Sequence, residues 1–257
     1  MGKKLGQNFL KSGKKLRKIV EALNLGNKDW VVEIGPGHGE LTRELRAINP
    51  ESRVILIEKD ERLVAVLREK FGDDKNIQII EGDALKVLPE IAESISKPYK
   101  IVGNIPYYIT GHLFRIIGEL KKKPSLAVFT VQKEVAERIT AEVPKMNLLA
   151  ASIQFWAEPK IISRISKKNF RPVPKVDSAV VRLEINKGKI SRGDAESYYS
   201  LLRAVFKQPR KTVFNNLNSS FKNKEKITKN LEKVGIDMKS RPQNIEVSQL
   251  VKLSTLF

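Results

Sequence analysis

The chain has 257 residues, with 48 Lys plus Arg against 29 Asp plus Glu, a formal charge of +19 and no cysteine. A disulfide scaffold, a zinc ribbon and a thiol nucleophile are thereby excluded, and the two histidines, His38 and His112, are too few for a histidine-based metal site or relay. No run approaches 18 consecutive apolar residues and the first residues, MGKKLGQNFLKSGKKLRK, lack an apolar core, so neither a transmembrane helix nor a signal peptide is expected.

In chain order, Leu16, Ile19, Val20 and Leu23 fall at helical spacing and predict an amphipathic helix over 14–24 with a basic opposite face. Strand-like and helix-like segments then alternate. Strands are predicted at 31–34, 53–58, 77–82, 100–104 and 125–131, and helices at 40–48, 61–71, 110–120 and from 133. Apolar strands in this rhythm predict a parallel sheet covered on both faces. After about residue 145 the rhythm changes. The run 151–159, ASIQFWAEP, reads as a strand, and Ala179, Val181, Leu183 and Ile185 alternate as a later one. NKGKISRGD at 186–194 is polar and reads as a linker. Beyond it Tyr198, Leu201, Leu202 and Val205 form a helical stripe that Pro209 breaks. A further helix runs through Val213 and Leu217, and Gly235 is a helix stop.

The charge is unevenly placed. Residues 1–30 carry net +6, 31–159 net −1 and 160–230 net +13. A near-neutral block between two basic ones points to a polyanionic partner, foremost nucleic acid.

The neutral block carries the pattern of a cofactor site. Gly35-Pro36-Gly37-His38-Gly39 follows the first predicted strand, where glycines let the backbone turn tightly and approach a ligand. The spacing is G-x-G-x-G, short of the full dinucleotide fingerprint. Glu58 ends the second strand, where a carboxylate can accept both ribose hydroxyls of an adenosine ligand. Asp83 closes the third and Asn104 the fourth. Polar residues at successive strand C-termini line one crevice of a doubly wound sheet.

Gly103-Asn104-Ile105-Pro106-Tyr107-Tyr108 is the most specific segment. It resembles the N-P-P-Y class motif of methyltransferases that use S-adenosylmethionine to methylate exocyclic amines. Adenine N6 is a poor nucleophile because its lone pair is delocalised into the ring. Acceptors on its two N–H groups draw it toward a pyramidal, more nucleophilic state. The Asn104 side-chain oxygen and the Ile105 carbonyl can supply them, Pro106 stiffens the loop, and Tyr107 offers a face for an extruded base.

Over nearly its full length the chain resembles the ribosomal RNA adenine N6,N6-dimethyltransferase family. The resemblance rests on LGQNFL at 5–10, VVEIGPGHGELT, IEKD, EGDAL, GNIPYYIT, VQKEVAERI, the run from Phe170 to Leu183 and FKQPRKTVFNNL. Ile105 replaces the commoner leucine, and EVPKMNLLA at 142–150 lacks the expected tyrosine-glycine pair. The resemblance implies an α/β fold: a Rossmann-like class I methyltransferase domain with a seven-stranded, mostly parallel sheet over 1–186, and a small all-α RNA-binding domain over 187–257. It implies S-adenosylmethionine held by Asn8, Leu10, Gly35, Glu58, Asp83 and Asn104, with Gly35 under the methionine part and Asp83 on the adenine amine. Phe170 would stack on the target base opposite Tyr107; from the residues alone it could equally be a core residue, and its neighbours Lys167, Lys168 and Arg171 favour a wet, RNA-facing setting. Lys3, Lys4, Lys11, Lys14, Lys15, Arg17 and Lys18 would flank the active-site mouth, and Lys207, Arg210 and Lys211 would contact RNA.

The expected activity is dimethylation of two adjacent adenines near the 3′ end of small-subunit ribosomal RNA. The partner would be ribosomal RNA in a 30S assembly intermediate, with the enzyme a cytoplasmic monomer that needs no metal and no membrane. The alternatives are an antibiotic-resistance methyltransferase of 23S RNA and a non-catalytic assembly factor on the same fold.

Overall fold

The computed structural model describes residues 8–186 and 192–257. Its elements are β1 (Phe9–Leu10), α1 (Gly13–Ala22), β2 (Trp30–Ile34), α2 (Glu40–Ile48), β3 (Arg53–Glu58), α3 (Glu61–Phe71), β4 (Ile77–Glu81), α4 (Ala84–Ser94), β5 (Tyr99–Asn104), α5 (Thr110–Glu119), β6 (Leu126–Gln132), α6 (Lys133–Ile139), α7 (Leu148–Gln154), β7 (Ala157–Ile165), β8 (Phe170–Arg171) and β9 (Ser178–Ile185). The helices α8 (Arg192–Val205), α9 (Val213–Phe221), α10 (Lys224–Lys233) and α11 (Val247–Ser254) follow. Lys3, Lys4 and most of the predicted linker lie outside the described residues.

Seven strands form one sheet in the order β4-β3-β2-β5-β6-β9-β7. The first five are parallel, and β9 returns antiparallel to β6. The central strands are buried on both faces, which is why they read as unbroken apolar runs: Val31, Val32 and Ile34 on β2, Val54 to Ile57 on β3, Ile101 and Val102 on β5. This is the predicted seven-stranded, mostly parallel α/β fold. Aspartates start two of the covering helices. Asp60 accepts from the Arg62 N–H before α3, and Asp83 from the Leu85 N–H before α4.

The chain divides into two compact units. One holds the chain up to Ala136 together with Pro159–Ile185, and contains the sheet. The other holds Glu137–Glu158 and Asn186–Phe257. The segment 137–158, placed by the sequence in the N-terminal block, therefore belongs with the C-terminal helices. The Phe155 ring stacks on Tyr198 at 4.0 Å, and the Tyr198 hydroxyl donates to the Ala151 carbonyl at 3.0 Å. Within it the run 151–159 is not one strand. Asn147 caps α7 by accepting from Leu149 and Ala150, and the strand begins only at Ala157.

Among the described residues no helix is long and apolar enough to cross a membrane, and no group of His, Asp and Glu could hold a metal ion.

Candidate active site

The parallel register lines up the C-terminal ends of four strands. Ile34 stands opposite Ile57 and Gly103, and Glu58 opposite Glu81. The chain leaves each strand at the same edge and opens a cleft there. Asn8, Gly35, Glu58, Asp83, Asn104, Ile105, Pro106 and Tyr107 all line it.

The glycine turn makes its floor. Gly37 has φ +62°, and a Cβ there would sit 2.7 Å from the Phe9 ring, so only glycine lets the turn pass under β1. Gly35 has φ +65° with nothing within 4 Å of its Cβ position. A side chain at Gly35 would project into the open cradle. Deeper in the sheet, a Cβ on Gly103 would meet the Ile34 carbonyl oxygen at 2.6 Å, which keeps β5 against β2.

Glu58 is 3 % exposed, yet its carboxylate is satisfied. Oε1 accepts from the Lys59 and Asp60 N–H groups at 2.8 and 2.9 Å, and Oε2 from the Gly37 N–H at 3.1 Å. Three backbone donors thus aim the carboxylate and leave Oε2 with acceptor capacity toward the cleft. Asp83 accepts from the Leu85 N–H through Oδ1 at 3.0 Å and from Lys59 Nζ through Oδ2 at 2.8 Å. The Lys59 hydrogen bond, above all, holds the Asp83 carboxyl below its ordinary range.

Asn104 is oriented by its amide. Nδ2 donates to the Asn8 carbonyl at 2.8 Å, which ties the N-terminal segment to the end of β5 and leaves Oδ1 as the free acceptor. The Tyr107 hydroxyl lies 2.7 Å from Ser178 Oγ, at the fully buried start of β9. Burial pushes the Tyr107 phenol up and the Ser178 bond opposes it.

One expectation is corrected. Phe170 is fully buried, in the core cluster with Leu16, Ile19, Val20 and Val180, and not on a wet surface. β8 pairs with β1 so that Phe170 lies opposite Leu10, and directly opposed residues share one face of a sheet. The basic neighbours of Phe170 point to solvent and it points inward. Leu10, at 2 % exposure, packs its side chain into the same core. Of the N-terminal segment, Asn8 and Phe9 line the cleft.

Lys11 and the basic residues of α1 are not among those that line the cleft itself. Lys11 pairs with Glu40, Lys15 Nζ donates to the Arg164 carbonyl at 2.9 Å, and Arg17 pairs with Glu21. In the helical unit Lys207, Arg210 and Lys211 are exposed, and among the described residues none has an ion-pair partner.

Phe9, Lys59 and Tyr108 also line the cleft, and sequence reasoning left them without a role. Each lies inside a motif that was recognised, so the signal was proximity to LGQNFL, IEKD and NIPYY. Tyr108 is 61 % exposed at the mouth of the cleft.

A parallel sheet with a glycine turn after its first strand, and carboxylates after the next two, defines a class I methyltransferase. The family model for ribosomal RNA adenine dimethylases matches residues 1–257, and the chain belongs to that family, whose methyl donor is S-adenosylmethionine. It is 38 % identical over 257 residues to a ribosomal RNA small subunit methyltransferase A of Dehalococcoides mccartyi, covering 99 % of this chain and 88 % of the relative. Among solved structures it resembles a dimethyladenosine transferase from Plasmodium falciparum, with TM-score 0.80, 26 % identity and 95 % of each chain covered. It also resembles the 23S rRNA methyltransferase ErmE, with TM-score 0.76, 27 % identity and 96 % and 98 % covered.

Proposed function

We propose that this protein dimethylates the N6 amines of two adjacent adenines in the 3′-terminal hairpin of small-subunit (16S) ribosomal RNA. The observation that carries the reading is the Asn104–Tyr107 loop, which lines the same cleft as Glu58 and Asp83. A full-length relative named for the small subunit favours that RNA over 23S RNA.

The cleft fits S-adenosylmethionine. Gly35 leaves its methionine part an open cradle, Glu58 Oε2 has acceptor capacity for the ribose, and Asp83 offers an acceptor to the adenine amine. When bound, the cofactor supplies an electrophilic methyl group on a sulfonium. This chain's residues prepare the nucleophile. Asn104 Oδ1 and the Ile105 carbonyl accept from the two N6 hydrogens, and the proton displaced on methylation leaves to water. Sulfonium chemistry needs alignment more than a strong base. Tyr107, fixed by Ser178, gives the base a platform, and Tyr108 presents a second ring at the mouth. Lys207, Arg210 and Lys211 contact phosphates of the RNA in the helical unit. The enzyme acts as a cytoplasmic monomer on a 30S assembly intermediate.

The test is methylation of 30S particles and of 23S RNA in parallel with labelled cofactor, followed by nucleoside analysis. N6,N6-dimethyladenosine in 16S RNA is the expected product. Label confined to 23S RNA overturns the substrate, and no label in either overturns the activity.

A further inference from the structure

At the N-terminal ends of the parallel strands, opposite the edge that holds the cleft, lies a second concavity. Lys28, Trp30, Glu51, Arg53, Asn76 and Lys97 line it. Lys28 comes from the turn before β2, Arg53 opens β3, and Lys97 lies in the loop before β5. Three separate segments thus bring three cations to one place against a single carboxylate, in a stretch of sequence that is near neutral as a whole.

Nearby acids do not neutralise them. Asp29 is taken by Lys100 at 2.7 Å and Asp74 by Arg46 at 2.8 Å. Among the described residues no carboxylate stands within ion-pair distance of Lys28, Arg53 or Lys97. Like charges gathered and left unpaired repel one another, and an anion between them relieves the repulsion. The Arg53 guanidinium lies over the Trp30 indole, 5.2 Å from its centroid. The indole face holds the guanidinium in place. A planar donor fork beside two ammonium groups and the Asn76 amide suits a tetrahedral phosphate better than a carboxylate on a mobile acidic side chain.

We infer that this concavity grips a backbone phosphate of a second segment of the ribosomal RNA. The inference rests on the RNA-methyltransferase reading and extends it to the opposite edge of the sheet. Strand β2 has five residues, which puts the two edges about 17 Å apart. An isolated hairpin offers one helical segment, which the cleft engages, whereas a folded, multi-helix RNA has other segments to meet the second edge. The site therefore adds affinity for the folded particle and none for the isolated target.

The test compares wild type with Lys28→Gln/Arg53→Gln/Lys97→Gln, and with Lys28→Gln/Lys97→Gln, which keeps the Arg53–Trp30 stack. The probes are a transcript of the 3′ half of small-subunit RNA, a short hairpin carrying the target adenines, and polyglutamate. For the long transcript the triple variant is expected to lose roughly tenfold in affinity at 0.1 M salt, with a salt slope shallower by about one unit, and the double variant to fall between. Cofactor affinity and hairpin methylation stay at wild-type values, which also shows that the variants fold. Unchanged affinity and slope for the long transcript overturn the inference. So does a loss confined to polyglutamate, which would mark an acidic protein as the partner. Failure of the parent reading looks different: wild type then methylates neither RNA.

Discussion

Lys59 Nζ donates to Asp83 Oδ2 at 2.8 Å, so a cation from the end of β3 shares the carboxylate that the cofactor's adenine amine is proposed to use. With Oδ1 capping α4, the ammonium crowds the lone pairs left for the amine. The Lys59 side chain is 55 % exposed, so the ion pair is screened and easily opened. Lys59→Met removes the competitor, and with it a positive charge near a cationic ligand. Cofactor affinity measured by calorimetry is expected to rise a few-fold. An affinity that is unchanged or weaker would show that Lys59 does not contend for Asp83.

Asn104 does two jobs with one amide: Nδ2 holds the Asn8 carbonyl and Oδ1 faces the cleft. Asn104→Ala removes both. A single transition-state hydrogen bond is worth roughly 100-fold or more in turnover, and kcat is expected to fall by at least that. RNA affinity, which phosphate contacts dominate, should stay within about twofold. Near wild-type turnover of the variant at saturating cofactor would take Asn104 out of the reaction.

What was legible in the sequence divides along physical lines. Glu58, Asp83 and Asn104 were readable because each closes an apolar strand of a parallel sheet, where topology alone brings strand ends together. Phe170 was misread because flanking lysines report solvent near the chain but not which way one side chain points. Its direction is set by a two-residue pairing with Leu10, 160 positions earlier. The run 151–159 was misread because short apolar stretches do not separate strand from buried helix, and the Asn147 cap that decides it lies upstream. The grouping of 137–158 with the C-terminal helices left no trace in composition. It depends on aromatic contacts such as Phe155 with Tyr198. The Lys59–Asp83 pair was invisible for the same reason, since it joins the ends of two strands through side chains.

The Tyr107–Ser178 bond joins the catalytic loop to the buried start of β9. Tyr107→Phe keeps the ring and leaves Ser178 Oγ without its partner in a site closed to water. A buried hydroxyl left unpaired costs about 1–3 kcal/mol, so stability should drop by an amount in that range. Turnover should drop too, as the platform loosens. Ser178→Ala in the Tyr107→Phe background removes the orphaned group and should recover part of the stability. Denaturant titration of the two single variants and the double variant measures the coupling. Strictly additive losses would mean that the two hydroxyls do not interact.

Glu33 stands directly behind the glycine turn, 1 % exposed, accepting from Thr42 Oγ1 at 2.8 Å. Burial raises its carboxyl from 4.5 to about 8; the Thr42 bond opposes the rise, and the charges of Glu40 and Glu58 add to it. At neutral pH the folded protein therefore holds a proton that the unfolded chain has released. Where the unfolded state binds fewer protons than the native state, stability falls as pH rises. The Glu33 contribution is fully present below about pH 4.5, declines through the neutral range, and is gone above about pH 8. Across the whole window it amounts to roughly 5 kcal/mol. Glu33→Gln keeps the shape and an acceptor for Thr42 but cannot ionise. In urea titrations from pH 5 to 8.5 the wild-type midpoint should decline with pH, while the variant's should stay flatter and lie above it at the alkaline end. A decline of equal steepness in both proteins would assign the pH dependence to another group and leave Glu33 charged beneath the turn.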